Sequence, residues 1–192
     1  MAEQEYRAVL RLASASPRRR QLLDLIGVPH VVTPADVDET PHASESADAY
    51  VMRLAREKAE AVWAQHQDLP VLAADTTVVV DQQILGKPES EADAVAMLGK
   101  LSGREHLVHT GFALRAGPSI HVGISSTQVS FAVLTPPQIR AYWASGEPQG
   151  KAGAYAIQDR AARFVDWIEG SWSNVVGLPV ATVYRLLRDL GA

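Results

Sequence analysis

The chain has 192 residues and a mass of 20.7 kDa, a size that suits one domain or two tightly fused lobes. Its 47% hydrophobic and 21% charged residues are typical of soluble globular proteins, and the absence of cysteine excludes disulfides, cysteine-ligated metal centres and a cysteine nucleophile. A net charge of −4 argues against a general nucleic-acid-binding surface, and no run approaches the roughly 20 apolar residues of a membrane helix. We therefore expect a soluble, cytoplasmic protein that binds neither nucleic acid nor membrane.

Strands and helices alternate in the first part of the chain. Ser16 and Pro17 suit the N-cap and the first position of a helix that ends before Gly27. A later run of apolar and β-branched residues predicts a buried strand that turns into a hairpin at Asp81. The elements predicted here are strand 8–13, helix 17–26, strand 30–33, helix 47–67 and strand 71–80.

A hairpin interrupts this alternation in the second part of the chain. Gly117 and Pro118 provide its turn, and Thr135 suits the N-cap of a following helix. The elements predicted here are helix 91–101, strand 106–115, strand 121–133, a helix ending at Ser145 and helix 180–190. Together the two parts predict an α/β fold with a mixed β-sheet.

The segment from Ser14 to Arg20, sequence SASPRRR, joins a predicted strand to a predicted helix. Such a turn presents free backbone N–H groups and the positive end of the helix dipole, which together bind anions. Arg18 lies in the first helical turn, where a cation is unfavourable unless an anion is bound there. Three arginines in a row equally suit a solvated helix face. These residues alone leave a phosphate site and a solvated face as open alternatives.

Asp75 interrupts the apolar run from Val71 to Val80. A carboxylate inside such a strand costs several kcal/mol unless it pairs with a cation or coordinates a metal ion. The alternative is that Asp75 caps a turn at the end of a strand. The β-branched residues that follow it argue against a strand end at this point, but both interpretations stay open.

The lysines form a second unusual pattern. Lys58 lies on the apolar stripe of its predicted helix, where it either reaches a functional site or extends its charge to solvent from the edge of the stripe. Lys87 and Lys151 lie in glycine-bounded loops. Carboxylates would bind a metal ion and cations would bind phosphate oxygens, so the charged set suits a magnesium-bound phosphate ester. The members of this set are Arg18, Asp38, Glu39, Lys58, Asp75 and Lys87.

Eight strings of the sequence, in order and at family-like spacing, resemble the Maf nucleotide pyrophosphatases. They cover nearly the whole chain, so chance similarity does not explain them. The strings are LASASPRR (12–19), DVDET (36–40), LAREKA (54–59), ADT (74–76), GKP (86–88), LSG (101–103), KAGAYAIQ (151–158) and SNVVGLP (173–179).

The resemblance implies an enzyme that hydrolyses a nucleoside triphosphate between its α and β phosphates, giving a monophosphate and pyrophosphate. It also implies a divalent metal ion (Mg²⁺ or Mn²⁺), a homodimer, and an elongated sheet with two lobes around a cleft, as in the inosine-triphosphate pyrophosphatases. Asp75 matches the family's catalytic proton acceptor. The metal ligands are expected at Glu39 and Asp75, and the substrate-binding residues at Ser14, Arg18, Lys58, Thr76, Lys87 and Gln158.

The local strings resemble the branch of the family that acts on dTTP and UTP. The branch that acts on 7-methyl-GTP carries an aromatic residue in place of Arg18 and glutamine in place of Thr76. Asp159 departs from the family pattern, which has glycine there, so we expect either a left-handed backbone that aspartate tolerates or a weakened triphosphate site. The alternatives are a 7-methyl-GTP or noncanonical-nucleotide pyrophosphatase, and a non-catalytic nucleotide-binding regulator of cell division.

Overall fold

A computed structural model describes residues 8–191 of the chain. It contains seven strands, six α-helices and two short 3₁₀ helices within that range. The strands are β1 (Leu10–Leu12), β2 (His30–Val32), β3 (Val71–Val80), β4 (Gln83–Leu85), β5 (Glu105–Ala116), β6 (Ser119–Phe131) and β7 (Val165–Glu169). The α-helices are α1 (Pro17–Leu25), α2 (Ala47–Trp63), α3 (Glu91–Leu101), α4 (Pro136–Trp143), α5 (Trp172–Val176) and α6 (Val180–Asp189). The 3₁₀ helices are Ala152–Ala154 and Arg160–Phe164.

The strands form one mixed sheet in the order β2-β1-β3-β5-β6-β7, with β4 added beside β3. β1 is parallel to both β2 and β3, whereas β4 is antiparallel to β3 and β7 is antiparallel to β6. The pairing of β1 with β3 ends at Leu72, and the pairing of β4 with β3 begins at Val78. This arrangement confirms the predicted α/β class with a mixed sheet.

The chain divides into two compact units. Among the described residues, the first unit comprises 8–75, 111–124 and 177–191, and the second comprises 76–110 and 125–176. In the first unit, α2 packs on β3 and β5 through small apolar side chains, among them Ala55, Ala59 and Ala73. In the second, aromatic rings of Phe131 and Tyr155 pack edge to face around the buried His106.

Local signals in the sequence account for several element boundaries. Pro17 begins α1 after Ser16, as predicted, although the Ser16 side chain makes no capping hydrogen bond. Thr135 caps α4 with a capping box that includes Gln138. Asp81 and Gln82 both have positive φ, which is the geometry of a tight β-hairpin, so the predicted turn at Asp81 is confirmed.

Two predicted helices end two or more residues earlier than expected, and four elements had no prediction. α2 ends at Trp63, not at Gln67, because no apolar residue continues the helical spacing after Val62. α4 ends at Trp143 and not at Ser145. The elements without a prediction are the two 3₁₀ helices, β7 and α5. Their sequences are short or polar and have no clear periodicity. No helix among residues 8–191 is long and apolar enough to span a membrane.

Gly111 on β5 is required by the packing of α2. A Cβ atom at this position would overlap the Val51 carbonyl group and lie 2.7 Å from the Met52 amide nitrogen. Both neighbours are helix backbone that cannot move aside, so we expect Gly111→Ala to lower the free energy of unfolding by about 3 kcal/mol. Urea denaturation followed by circular dichroism measures this change.

The matched control is Gly99→Ala on α3, where a Cβ atom would meet nothing within 4 Å. This substitution is expected to raise the stability by about 0.5–1 kcal/mol, since alanine favours helix over glycine. Equal effects of the two substitutions would contradict the close approach of α2 to β5.

Candidate active site

Asp75 lies in the middle of β3, where Ala74 directly before it and Thr77 two residues after it are buried. Its side chain is 13% exposed. It lies in the part of β3 that follows the last β1 partner, Leu72, and precedes the first β4 partner, Val78. The interpretation of Asp75 as a cap at a strand end is therefore wrong. A charged partner offsets the cost of placing its carboxylate within this apolar strand.

That partner is Lys58, whose ammonium group joins two carboxylates. Lys58 Nζ lies 2.6 Å from Asp75 Oδ1 and 2.6 Å from Glu39 Oε1. The Lys58 side chain is only 9% exposed, whereas that of Glu39 is 45% exposed. Lys58 thus does not extend to solvent from the edge of the helix. It carries its charge inward from α2, and the two carboxylates offset the cost of burying it.

Hydrogen bonds to α2 hold the loop that carries Glu39. Tyr50 donates its hydroxyl proton to the Glu39 carbonyl oxygen at 2.9 Å, and Arg53 donates to the Thr40 carbonyl oxygen at 3.1 Å. Arg53 also makes two short hydrogen bonds to the Glu45 carboxylate, which lower the pKa of Glu45 to about 2. These contacts fix the backbone at Glu39 and at the residue that follows it.

The arginines after Pro17 have three different environments. Arg19 is buried, and its guanidinium donates to the Gly177 carbonyl oxygen at 2.8 Å and to Ser14 Oγ at 3.1 Å. Burial lowers the pKa of Arg19, and the negative charges of Asp75 and Glu39 act in the opposite direction. Arg18 is half-buried and Arg20 is exposed. Of the three arginines, only Arg20 therefore fits the interpretation as a solvent-exposed helix face.

Arg19 is the site residue that the sequence analysis missed. It shares a helix face with Leu22 and Leu23, which lie three and four residues further on and are buried. This spacing was the available signal, because it turns the second arginine toward the interior. The first unit thus brings together Ser14, Arg19, Glu39, Lys58 and Asp75.

The other predicted site residues belong to the second unit. Thr76 follows Asp75 on β3, and its hydroxyl lies 2.9 Å from that of Thr110. Lys87 is exposed in the loop after β4. A backbone hydrogen bond of 3.0 Å from Gly153 to Gly86 joins this loop to the segment that carries Lys151. The two glycine-bounded lysine loops that the sequence analysis singled out are therefore neighbours.

Gln158 is oriented by the residue that departs from the family pattern. Its Nε2 donates to Asp159 Oδ2 at 3.0 Å, and its Oε1 is buried without a hydrogen-bond partner among residues 8–191. Asp159 has a φ of −114°, so this position needs no left-handed backbone. The expectation of a left-handed residue at 159 is therefore wrong. A carboxylate accepts only, so Asp159 fixes which end of the Gln158 amide faces it.

We expect Asp159→Gly to keep the fold and to release the Gln158 amide. Because φ at this position is accessible to any residue, the free energy of unfolding should change by no more than about 1 kcal/mol. Nucleotide affinity should change several-fold, since the amide can then turn either end toward a ligand. Titration calorimetry with UTP measures this change in affinity. An unchanged affinity would show that the Gln158 orientation has no role in binding.

Glu39 and Asp75 also suit a divalent cation. The two carboxylates lie close together, since one oxygen of each is 2.6 Å from Lys58 Nζ, and carboxylate oxygens are the ligands that Mg²⁺ and Mn²⁺ prefer. Within the described part of the chain, no group of three or more histidine, cysteine, aspartate or glutamate side chains is placed to hold a metal ion. The donor set thus fits an ion that takes its remaining ligands from water and phosphate, as Mg²⁺ does at phosphate-binding sites.

Known proteins are similar to this chain in fold or in sequence. Among solved structures, the Staphylococcus aureus Ham1 protein matches with a TM-score of 0.51 and 13% identity, covering 95% of this chain and 97% of its own. At this identity the likeness supports the fold alone, and it confirms the expected fold class. The sequence profile of the family described as Maf-like protein matches residues 9–190.

Two relatives are similar over nearly their whole length. A protein of Methylobacillus flagellatus named dTTP/UTP pyrophosphatase is 50% identical, over 94% of this chain and 92% of its own. A protein of Myxococcus xanthus with the same name is 51% identical, over 95% of this chain and 93% of its own. The chain belongs to the Maf-like protein family.

Proposed function

We propose that the protein hydrolyses dTTP and UTP between the α and β phosphates and releases a nucleoside monophosphate and pyrophosphate. The observation that carries this proposal is the buried Lys58 ammonium held between Asp75 and Glu39. The names of relatives that are 50% and 51% identical support the substrate class. We further propose, on the resemblance, that the protein acts as a homodimer; a cytoplasmic location and the lack of nucleic-acid binding stay predictions.

We assign triphosphate binding to the turn before α1 and to nearby cations. Ser14 and Arg18 lie at the turn that leads into α1, where backbone N–H groups and the helix dipole favour an anion. Arg19 holds this turn through its bond to Ser14 Oγ. Lys58 adds positive charge beside the catalytic carboxylate, and Lys87 stays a predicted phosphate ligand. Phosphoryl transfer depends mainly on such positioning and neutralisation of charge.

We assign the role of general base to Asp75. Its ionised carboxylate accepts a proton from the water that attacks the α phosphorus, and pyrophosphate leaves with the electron pair of the broken P–O bond. Lys58 orients this carboxylate through the 2.6 Å hydrogen bond. A divalent cation held by Glu39 and Asp75 would supply further neutralisation of the phosphate charge.

We assign choice of the base to Thr76 and Gln158, with Arg18 as a third position that the resemblance implies. The Thr76 hydroxyl and the Gln158 amide both have defined hydrogen-bond partners in the second unit, Thr110 and Asp159. Groups with fixed donors and acceptors discriminate between bases more strongly than freely rotating ones. The fixed partners of Thr76 and Gln158 therefore favour a narrow range of pyrimidine substrates over a broad range of nucleotides.

Pyrophosphate release across a panel of nucleotides tests the proposal. The panel contains dTTP, UTP, CTP, 7-methyl-GTP, ITP and dATP, each with Mg²⁺, with Mn²⁺ and with excess EDTA. We expect turnover of dTTP and UTP that stops in EDTA and resumes when the metal is restored. Preferred turnover of 7-methyl-GTP or ITP would contradict the substrate class, and binding of nucleotides without turnover would support a regulator.

A further inference from the structure

Two hydrogen bonds connect the Thr76 hydroxyl, through the Thr110 hydroxyl, to the backbone carbonyl of Asn174. Thr76 Oγ1 lies 2.9 Å from Thr110 Oγ1, and Thr110 Oγ1 lies 3.0 Å from the Asn174 carbonyl oxygen. All three residues belong to the second unit, and Thr110 and Asn174 are fully buried. No water therefore reaches the Thr110 hydroxyl to exchange partners with it.

The Asn174 carbonyl is itself held in place. The Asn174 side chain donates to the Val108 carbonyl oxygen at 3.0 Å and to Thr127 Oγ1 at 2.9 Å. Its backbone N–H donates to Ser171 Oγ at 3.3 Å. The carbonyl oxygen that faces Thr110 is thus fixed by side-chain and backbone contacts of the same residue.

These contacts determine which way each hydroxyl proton points. A carbonyl oxygen only accepts, so Thr110 must donate its single proton to Asn174. The reverse arrangement would place two sets of lone pairs 3.0 Å apart in a buried site, which is unfavourable. Thr110 therefore accepts from Thr76, and Thr76 has no further proton to donate. Toward any other partner the Thr76 hydroxyl acts as an acceptor.

We propose that Thr110 is a positioning residue that makes the Thr76 hydroxyl an obligatory acceptor and thereby selects pyrimidines that carry a proton on ring nitrogen N3. Uracil and thymine carry this proton, whereas N3 of cytosine is itself an acceptor. Two opposed acceptors repel, so the site rejects cytosine at the position where it binds uracil. The inference rests on the proposed function, since it assigns Thr76 to the base.

The test compares binding and turnover of UTP and CTP in three proteins: wild type, Thr110→Val and Thr110→Ser. Valine has nearly the shape of threonine but no hydroxyl, so Thr76 can then rotate its proton toward N3 of cytosine. We expect the UTP-to-CTP ratio of kcat/KM to fall on the order of tenfold in Thr110→Val, with CTP gaining in relative terms. Serine keeps the hydroxyl, so Thr110→Ser should retain the wild-type ratio.

A purely structural role of Thr110 gives a different result. Loss of packing alone would lower turnover of both nucleotides together and leave their ratio unchanged, and that outcome overturns the inference. Melting temperatures of the three proteins identify any variant that fails to fold. If a Thr110 variant does not fold, the UTP-to-CTP ratio of kcat/KM is measured for Thr76→Val, which lacks the accepting hydroxyl itself. There too an unchanged ratio overturns the inference.

Binding of non-hydrolysable α,β-imido analogues of UTP and CTP separates this inference from the proposed function. A wild type that binds the UTP analogue in preference to the CTP analogue but releases no pyrophosphate refutes the proposed hydrolysis, while the effect of Thr110→Val on binding still decides the inference. A wild type that binds both analogues equally, or neither, overturns the inference whatever its activity.

Discussion

Asp75→Asn is expected to lower kcat for UTP hydrolysis by about 10²–10⁴ while the protein stays folded. Asparagine has the shape of aspartate but cannot accept the proton of the attacking water. Lys58 keeps Glu39 at 2.6 Å as a charged partner, so its buried ammonium does not lose all compensation. Steady-state kinetics of pyrophosphate release, with circular dichroism to verify folding, measures the effect.

Asp81→Asn provides the matched control. Asp81 also pairs with a cation, since it lies 2.6 Å from Arg104, but its side chain is 64% exposed in the β3–β4 turn. Exposed pairs of this kind contribute little, so this variant should retain wild-type activity. A folded Asp75→Asn protein with activity close to that of the Asp81→Asn control would remove Asp75 from the role of general base.

Lys58→Met is expected to damage both stability and catalysis. Removing the ammonium leaves Asp75 and Glu39 close together without the cation that bridges them, so we expect the free energy of unfolding to fall by about 2 kcal/mol. This is less than for a fully buried pair because Glu39 is 45% exposed and can turn toward water. Loss of the charge beside the reacting phosphate should lower kcat/KM by at least about 10².

Chemical denaturation and steady-state kinetics measure the two effects of Lys58→Met separately. The matched control is Lys100→Met, because Lys100 is an exposed lysine whose ammonium donates to Gln83 Oε1 at 3.0 Å. It should change neither the stability nor the kinetics appreciably. If Lys58→Met were as active as Lys100→Met, the bridge between the two carboxylates would have no part in the reaction.

The chemistry of the first unit could be predicted from two anomalies in the sequence. Asp75 and Lys58 are charged residues in apolar patterns, and burying either one alone is costly. The structure pairs them, which is how such a cost is offset. The partner of each charge could not be predicted from periodicity, because α2 and β3 meet only through tertiary packing.

Other features follow from tertiary contacts that leave little trace in the sequence. In the sequence, Arg19 belongs to a run of three arginines that suits a solvent-exposed helix face. Only its spacing from Leu22 and Leu23 indicates that it is buried. Asn174 and Thr110 are polar residues that the fold buries completely, and their hydrogen bonds link separate segments. No local pattern predicts such a network, since its partners are distant in the chain.

Hydrolysis of UTP in water enriched in ¹⁸O tests the central claim most directly. Attack of water on the α phosphorus places the label in UMP and leaves pyrophosphate unlabelled, which mass spectrometry of the two products detects. We predict label in UMP alone, with the rate of its appearance reduced in Asp75→Asn by the same factor as pyrophosphate release. Label in pyrophosphate, or release of inorganic phosphate in its place, would contradict the account.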